Sequence, residues 1–178
     1  MKRTLALFTI AAALAFAART VSRQSIIAVE KSFDRGLRTV SPDDPFVLLS
    51  FTQGVYLENV GAVFIAEVNL APGGGASPFR QVVPKETLEK VRAIKLDRLP
   101  KLRKEMREML VGSAGMLDAI PGNERIAIAV SLFHHPGENT TGLPAQILME
   151  APRGALVELQ TGKRDRATID SVIRTQEF

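Results

Sequence analysis

Residues 46–70 read FVLLSFTQGVYLENVGAVFIAEVNL. Val, Leu and Phe crowd the first half, Phe46–Leu57, and β-branched or aromatic residues recur through the second, Ala62–Leu70. Such residues favour a pleated, half-buried surface, so two strands are expected. Between them Glu58-Asn59-Val60-Gly61 supplies turn chemistry, which joins the strands as a β-hairpin. Successive side chains of a strand point to opposite faces. Phe64, Ala66, Val68 and Leu70 therefore share one apolar face, while Val63, Ile65, Glu67 and Asn69 share the other. That second face is apolar at one end and polar at the other, which predicts partial cover.

Downstream, Ala71–Val83 contains Pro72, Gly73, Gly74, Gly75 and Pro78 and reads as a long irregular connection. Pro84 then opens a helix. Leu88, Val91, Lys95, Leu99, Leu102, Met106 and Leu110 trace one side of it, with Lys95 the polar exception. Pro100 is expected to kink or divide this helix, and Gly112 and Gly115 weaken its end. Arg125–His134 alternates strictly, with Ile126, Ile128, Val130 and Leu132 on one face. A polar connection, His135–Gly142, leads to another strand, Leu143–Ala151, and so to a second hairpin. Ala155–Thr161 suits a short helix, and part of Thr168–Phe178 a last strand.

Upstream, Ser41-Pro42-Asp43-Asp44-Pro45 is a breaker. Ser25–Leu37 carries Ile26, Ile27, Val29, Phe33 and Leu37 at helical spacing. Residues 18–24 are polar and expected to be a flexible lead-in. At the N-terminus, Met1-Lys2-Arg3 precedes a charge-free apolar run from Leu5 to Phe16, ending in Ala15-Phe16-Ala17. This order of basic, apolar and small residues is that of a cleavable secretory signal over residues 1–17. About a dozen apolar residues are too few to span a ~30 Å hydrocarbon core. A periplasmic or secreted location after cleavage near Ala17 is the expectation, with residues 25–178 forming a single soluble α+β domain.

Element order predicts one mixed or antiparallel sheet covered by helices. If the first strand runs up, the second runs down, the long helix returns, and the third strand again runs down. The second and third strands are then parallel, joined by a right-handed crossover. The connections 71–83 and 134–143 fall at the same edge of the sheet.

Composition narrows function. Removing residues 1–17 takes away two of the 23 basic residues and no acid, so the net charge falls from +4 to +2. That is too little to argue for nucleic acid. There is no cysteine, hence no disulfide framework and no lipid anchor on a cysteine. No Trp and a single Tyr, Tyr56, make an aromatic-lined sugar or peptide cleft a poor expectation. No G-x-S-x-G elbow is present, and Ser50, Ser113 and Ser131 lie in apolar or helical surroundings. Asp43-Asp44 sits in a turn, where Asp commonly caps. Asn139-Thr140-Thr141 fits a glycosylation acceptor, expected to be idle in a bacterial protein. The Gly73–Gly75 run lacks the motif and the adjoining helix start of a phosphate cradle.

Three readings remain. The leading one is a non-enzymatic binding or scaffolding module of the cell envelope, with another envelope protein as partner. Its candidate binding edge comprises Gly73, Gly74, Gly75, Phe79, Arg80, His135, Glu138 and Asn139. The alternative is a metal-dependent hydrolase, using His134, His135 and Glu138 on a divalent cation. Adjacent strand residues point apart, which argues against both rings sharing one ion. No other cofactor is expected. The third is attachment to a membrane surface through the long helix, whose Lys and Arg residues are interleaved with Glu and Asp.

Two stretches also carry a likeness: Val55–Phe64 leading to Glu67-Val68-Asn69-Leu70, and Asp170–Phe178. They resemble a family of secreted proteins from soil bacteria of the acidobacterial kind. The resemblance covers most of the chain after residue 17 and implies secretion; it implies no activity, cofactor or catalytic residue.

Overall fold

The computed structural model describes residues 20–39, 46–72 and 84–178. Residues 1–17, Asp43, Asp44, Gly73, Gly74, Gly75, Phe79 and Arg80 lie outside the described residues. Elements follow in the order α1 (Arg23–Thr39), β1 (Val47–Leu57), β2 (Gly61–Asn69), α2 (Lys85–Ser113), β3 (Arg125–Leu132), β4 (Gln146–Pro152) and α3 (Arg153–Gln160). A 3₁₀ turn (Arg166–Thr168) and the one-turn α4 (Ile169–Val172) then lead to β5 (Arg174–Glu177). The five strands form one sheet in sequence order, β1-β2-β3-β4-β5. All pairs are antiparallel except β2 with β3, which are parallel with Gly61 opposite Arg125 and Val68 opposite Leu132. The α+β class, the mixed sheet and the parallel central pair agree with the sequence reading.

The helices lie on one face of the sheet. Phe64, Ala66 and Val68 of β2, Ile126, Ile128 and Val130 of β3, and Ile147 and Met149 of β4 are buried against them. From the other side α1 contributes Ile26, Val29, Phe33 and Leu37, and α2 contributes Val91, Leu99, Leu102, Met106 and Leu110. The rings of Phe33 and Phe64 meet edge to face at 5.0 Å, the geometry that aromatic quadrupoles favour. Gly54 makes this possible, because a Cβ there would stand 2.5 Å from the Phe64 ring.

The β1–β2 turn is fixed by backbone chemistry. Asn59 has φ 65° and Gly61 φ 131°. A Cβ on Gly61 would lie 1.8 Å from the Arg125 carbonyl oxygen, so only glycine allows β3 to start beside the turn.

Some boundaries differ from expectation. α1 begins at Arg23, inside the segment read as a flexible lead-in, because Arg23 donates to the Gly54 carbonyl at 3.0 Å and pairs with Glu30 at 2.9 Å. α2 runs undivided through Pro100, which is exposed. β4 begins at Gln146 rather than Leu143, since Pro144 has no amide for the ladder.

Candidate functional site

The face of the sheet turned away from the helices carries no covering element among the described residues. Register places Val47, Gln53, Val55 and Leu57 of β1 there, with Val63, Ile65 and Glu67 of β2. Phe51 is 68% exposed, Ile65 52% and Val55 49%. These are large apolar side chains held in water, in contrast to Phe64 and Val68 of β2, which are fully buried. Register puts Val55, Val63, Ala127 and Glu150 in one row, and Gln53, Ile65, Ala129 and Leu148 in the next. Ala127 and Ala129 are buried although their face is open, because the longer side chains of β2 and β4 shade them. At the β3 N-terminal end, Glu150 pairs with Arg125 at 3.2 Å and Arg174 at 3.5 Å. Two register shifts bend β1 between Leu48 and Gln53. At that outer margin the Arg38 guanidinium stands 5.5 Å over the Phe51 ring.

The edge of β1 is sealed by α1. The Thr52 amide donates to Asp34 Oδ1 and the Gly54 amide to Glu30 Oε1, both at 2.8 Å. These are acidic residues on the outer flank of an amphipathic helix, used as acceptors for a strand edge.

At the C-terminal ends of β2 and β3, Leu70 and Phe133 lie side by side, and the Phe133 amide donates to the Val68 carbonyl at 2.9 Å. The sequence-based candidates His134, His135 and Glu138 gather here, around an ammonium. Lys95 Nζ donates to Glu138 Oε2 and to the Phe133 carbonyl, each at 2.7 Å. Both side chains of this ion pair are shut from solvent. The His135 amide also donates to Glu138 Oε2, at 2.9 Å. Burial lowers the Lys95 pKa, against the raising effect of the Glu138 carboxylate. Burial, aided by the Lys95 charge, lowers the His135 pKa. His134 turns its Nε2 to the Pro144 carbonyl at 3.1 Å and its Nδ1 toward Glu138 Oε1 at 3.9 Å. The arrangement is therefore a buried ion pair with two imidazoles at its margin. Among the described residues no group of three His, Cys, Asp or Glu is placed to hold a metal ion.

Of the candidate binding-edge residues, His135 and the Glu138 side chain are buried and unavailable to a partner. Asn139 is exposed, and its Oδ1 accepts from the Thr141 amide at 3.0 Å. It borders a cavity of about 380 Å³ with Lys85, Leu88, Glu89, Arg92 and Gly137. On α2, Lys90 pairs with Glu86 and Lys101 with Asp97 as i,i+4 partners, which is the solvated-face use of mixed charge. Among the described residues no helix is long and apolar enough to cross a membrane.

A second polar cluster sits at the opposite end of the sheet. The Asn59 amide donates to Glu124 Oε1 at 3.2 Å, and Glu124 is buried. Burial and the hydrogen bond to Glu124 raise the Tyr56 pKa. Lys95 was signalled by its place in an apolar stripe. Nothing in the sequence around Glu124 or Tyr56 marks their pairing.

Comparison of the chain with protein-family models, with curated proteins and with solved structures gives no match.

Proposed function

We propose that this chain is an exported, non-enzymatic binding module of the cell envelope, which engages another protein with the helix-free face of its sheet. The observation that carries the reading is the set of large apolar side chains, Val55, Leu57 and Ile65, standing exposed on one side of a well-packed sheet. Contiguous exposed apolar patches mark interaction sites, since a free surface gains nothing from them. Export is supported by the basic, apolar and small residues in succession over residues 1–17. Binding is favoured over catalysis because the one gathering of His, Glu and Lys side chains described above is spent on a buried structural pair.

The test is photo-cross-linking in the native envelope, with the cross-linking amino acid placed at Ile65 and, as control, at Lys104 on the helical side. Adducts of one recurrent mass from position 65, absent from position 104, support the reading. Equal yields from both positions, or none, sink it.

A further inference from the structure

A second exposed apolar group lies off the helix-free face, at the bend of β1. Leu49 and Phe51 fall within the two register shifts, between Leu48 and Gln53, and are 46% and 68% exposed. The Arg38 guanidinium over the Phe51 ring ties this bend to the C-terminal end of α1. We propose that the bend and the outer flank of α1 together dock on an anionic lipid surface. Headgroup phosphates meet Lys31, Arg35 and Arg38, and the side chains of Leu49 and Phe51 enter the apolar boundary beneath the headgroups. This site is separate from the sheet face proposed above to engage a protein, and it stands or falls without that reading.

Charge is the first argument. Lys31, Arg35 and Arg38 are all exposed and recur at i, i+4 and i+7, so they share one flank of α1. With Asp34 and Thr39 they line one hollow of about 470 Å³. Among the described residues none of the three cations has an ion pair. Lys90 and Lys101 of α2, by contrast, are paired with carboxylates one turn away. The acids of α1 are engaged elsewhere: Asp34 accepts from the Thr52 amide, and Glu30 accepts from the Gly54 amide and pairs with Arg23. Three cations left side by side repel one another, and phosphate oxygens relieve that repulsion with charge-assisted hydrogen bonds.

Placement is the second. Arg38 also lines a neighbouring hollow of about 390 Å³, with Phe46, Val47 and Leu48. The cationic flank therefore grades into the apolar bend without a break. Cations beside protruding Phe and Leu side chains make up the segments that lie in a membrane interface, where the charges hold headgroups and the apolar groups reach about 5–10 Å inward. A protein partner has to supply carboxylates and a recess fitted to Phe51 at once. A bilayer surface supplies phosphates and a yielding apolar layer at every point.

Co-sedimentation of the full chain, as the cell processes it, tests this with two kinds of vesicle. One holds phosphatidylglycerol and phosphatidylcholine in equal parts, the other phosphatidylcholine alone. The expected result is binding to the first, little to the second, and release at about 0.5 M salt, where the Debye length is about 4 Å. Arg35→Glu and Arg38→Glu should each weaken binding at least about fivefold, and Phe51→Ser about tenfold, with the circular dichroism spectrum unchanged. Asp43 and Asp44 follow α1 in the sequence and oppose the attraction, so replacing both by Asn should tighten binding. Lys104→Glu on α2 should leave it unchanged. The chain has no Trp, so Phe51→Trp adds a unique fluorophore, whose emission should shift to the blue with the anionic vesicles. No binding to the anionic vesicles, or equal binding to both kinds, overturns the inference. So does binding that ignores Arg35→Glu and Phe51→Ser, or that Lys104→Glu abolishes instead, which assigns the contact to α2. Displacement by free glycerol phosphate, with no blue shift from the Phe51→Trp variant, means a small-phosphate site and overturns the membrane reading.

Discussion

Among the described residues Lys95 and Glu138 form the most deeply buried ion pair, with 2.7 Å between Nζ and Oε2. Removing one partner strands the other as a buried charge or an unsatisfied donor. Glu138→Ala is expected to destabilise the fold by about 3–5 kcal/mol, and the double variant with Lys95→Met by much less than the sum of the singles. Urea unfolding measures both. His135 adds a pH dependence. Its folded pKa lies below the ordinary value of about 6.5. Between the two values the unfolded chain holds more protons, so stability falls as pH falls through that window and is retained above it. Unfolding curves from about pH 7.5 down to about pH 5 should show the decline, and His135→Phe should flatten it. Lys95 was legible in the sequence as the one charge inside an apolar stripe, a placement that demands a buried partner. Its partner was not legible, since Glu138 lies 43 residues away and only the parallel β2–β3 arrangement brings the two together. The proposed metal role for the same histidines came from residue type alone, and residue type does not report that an ammonium already holds the carboxylate.

Hairpins and helices were legible wherever period and turn chemistry agree: β1–β2 from alternation and the Glu58–Gly61 turn, β3 from its strict alternation, α1 from its four buried positions. Tertiary support was hidden. Nothing in the sequence marks Glu30 and Asp34, yet they accept from the edge amides of Gly54 and Thr52. Asp34→Ala should destabilise by about 1–3 kcal/mol and speed hydrogen exchange at the Thr52 amide above exchange at β3 amides. The glycines offer a matched contrast. Gly61→Ala forces a Cβ onto the Arg125 carbonyl at a positive φ and is expected to destabilise by at least about 2 kcal/mol. Gly112→Ala meets nothing within 4 Å in a helix and should stabilise by about 0.5–1 kcal/mol. Thermal melts of the two variants check both signs. The β1 register shifts had no sequence signal, because no Gly or Pro marks Leu48–Gln53.

For the whole molecule, strand directions followed from connectivity alone, since a hairpin followed by a helical return makes the next strand parallel to the second. Which sheet face stays open was only hinted at, by the mixed row of Val63, Ile65, Glu67 and Asn69. The answer depends on where three helices dock, and that is a property of the assembled core. Val55→Lys and Ile65→Lys alter exposed positions only, so they should shift the thermal midpoint by no more than about 0.5 kcal/mol equivalent while lowering light scattering of concentrated solutions. A larger loss of stability would mean that the open face is packed within the chain. The α1 seal on β1 bears on how far association can spread. A sheet with two free edges can add strands on both sides and grow into a filament. Here one edge is plugged by carboxylates, and the other is the four-residue β5. An object with one bare edge can add one neighbour there, and the pair so formed has no bare edge left. Association through the bare edge alone would therefore stop at two chains, where a sheet with both edges bare would keep adding strands.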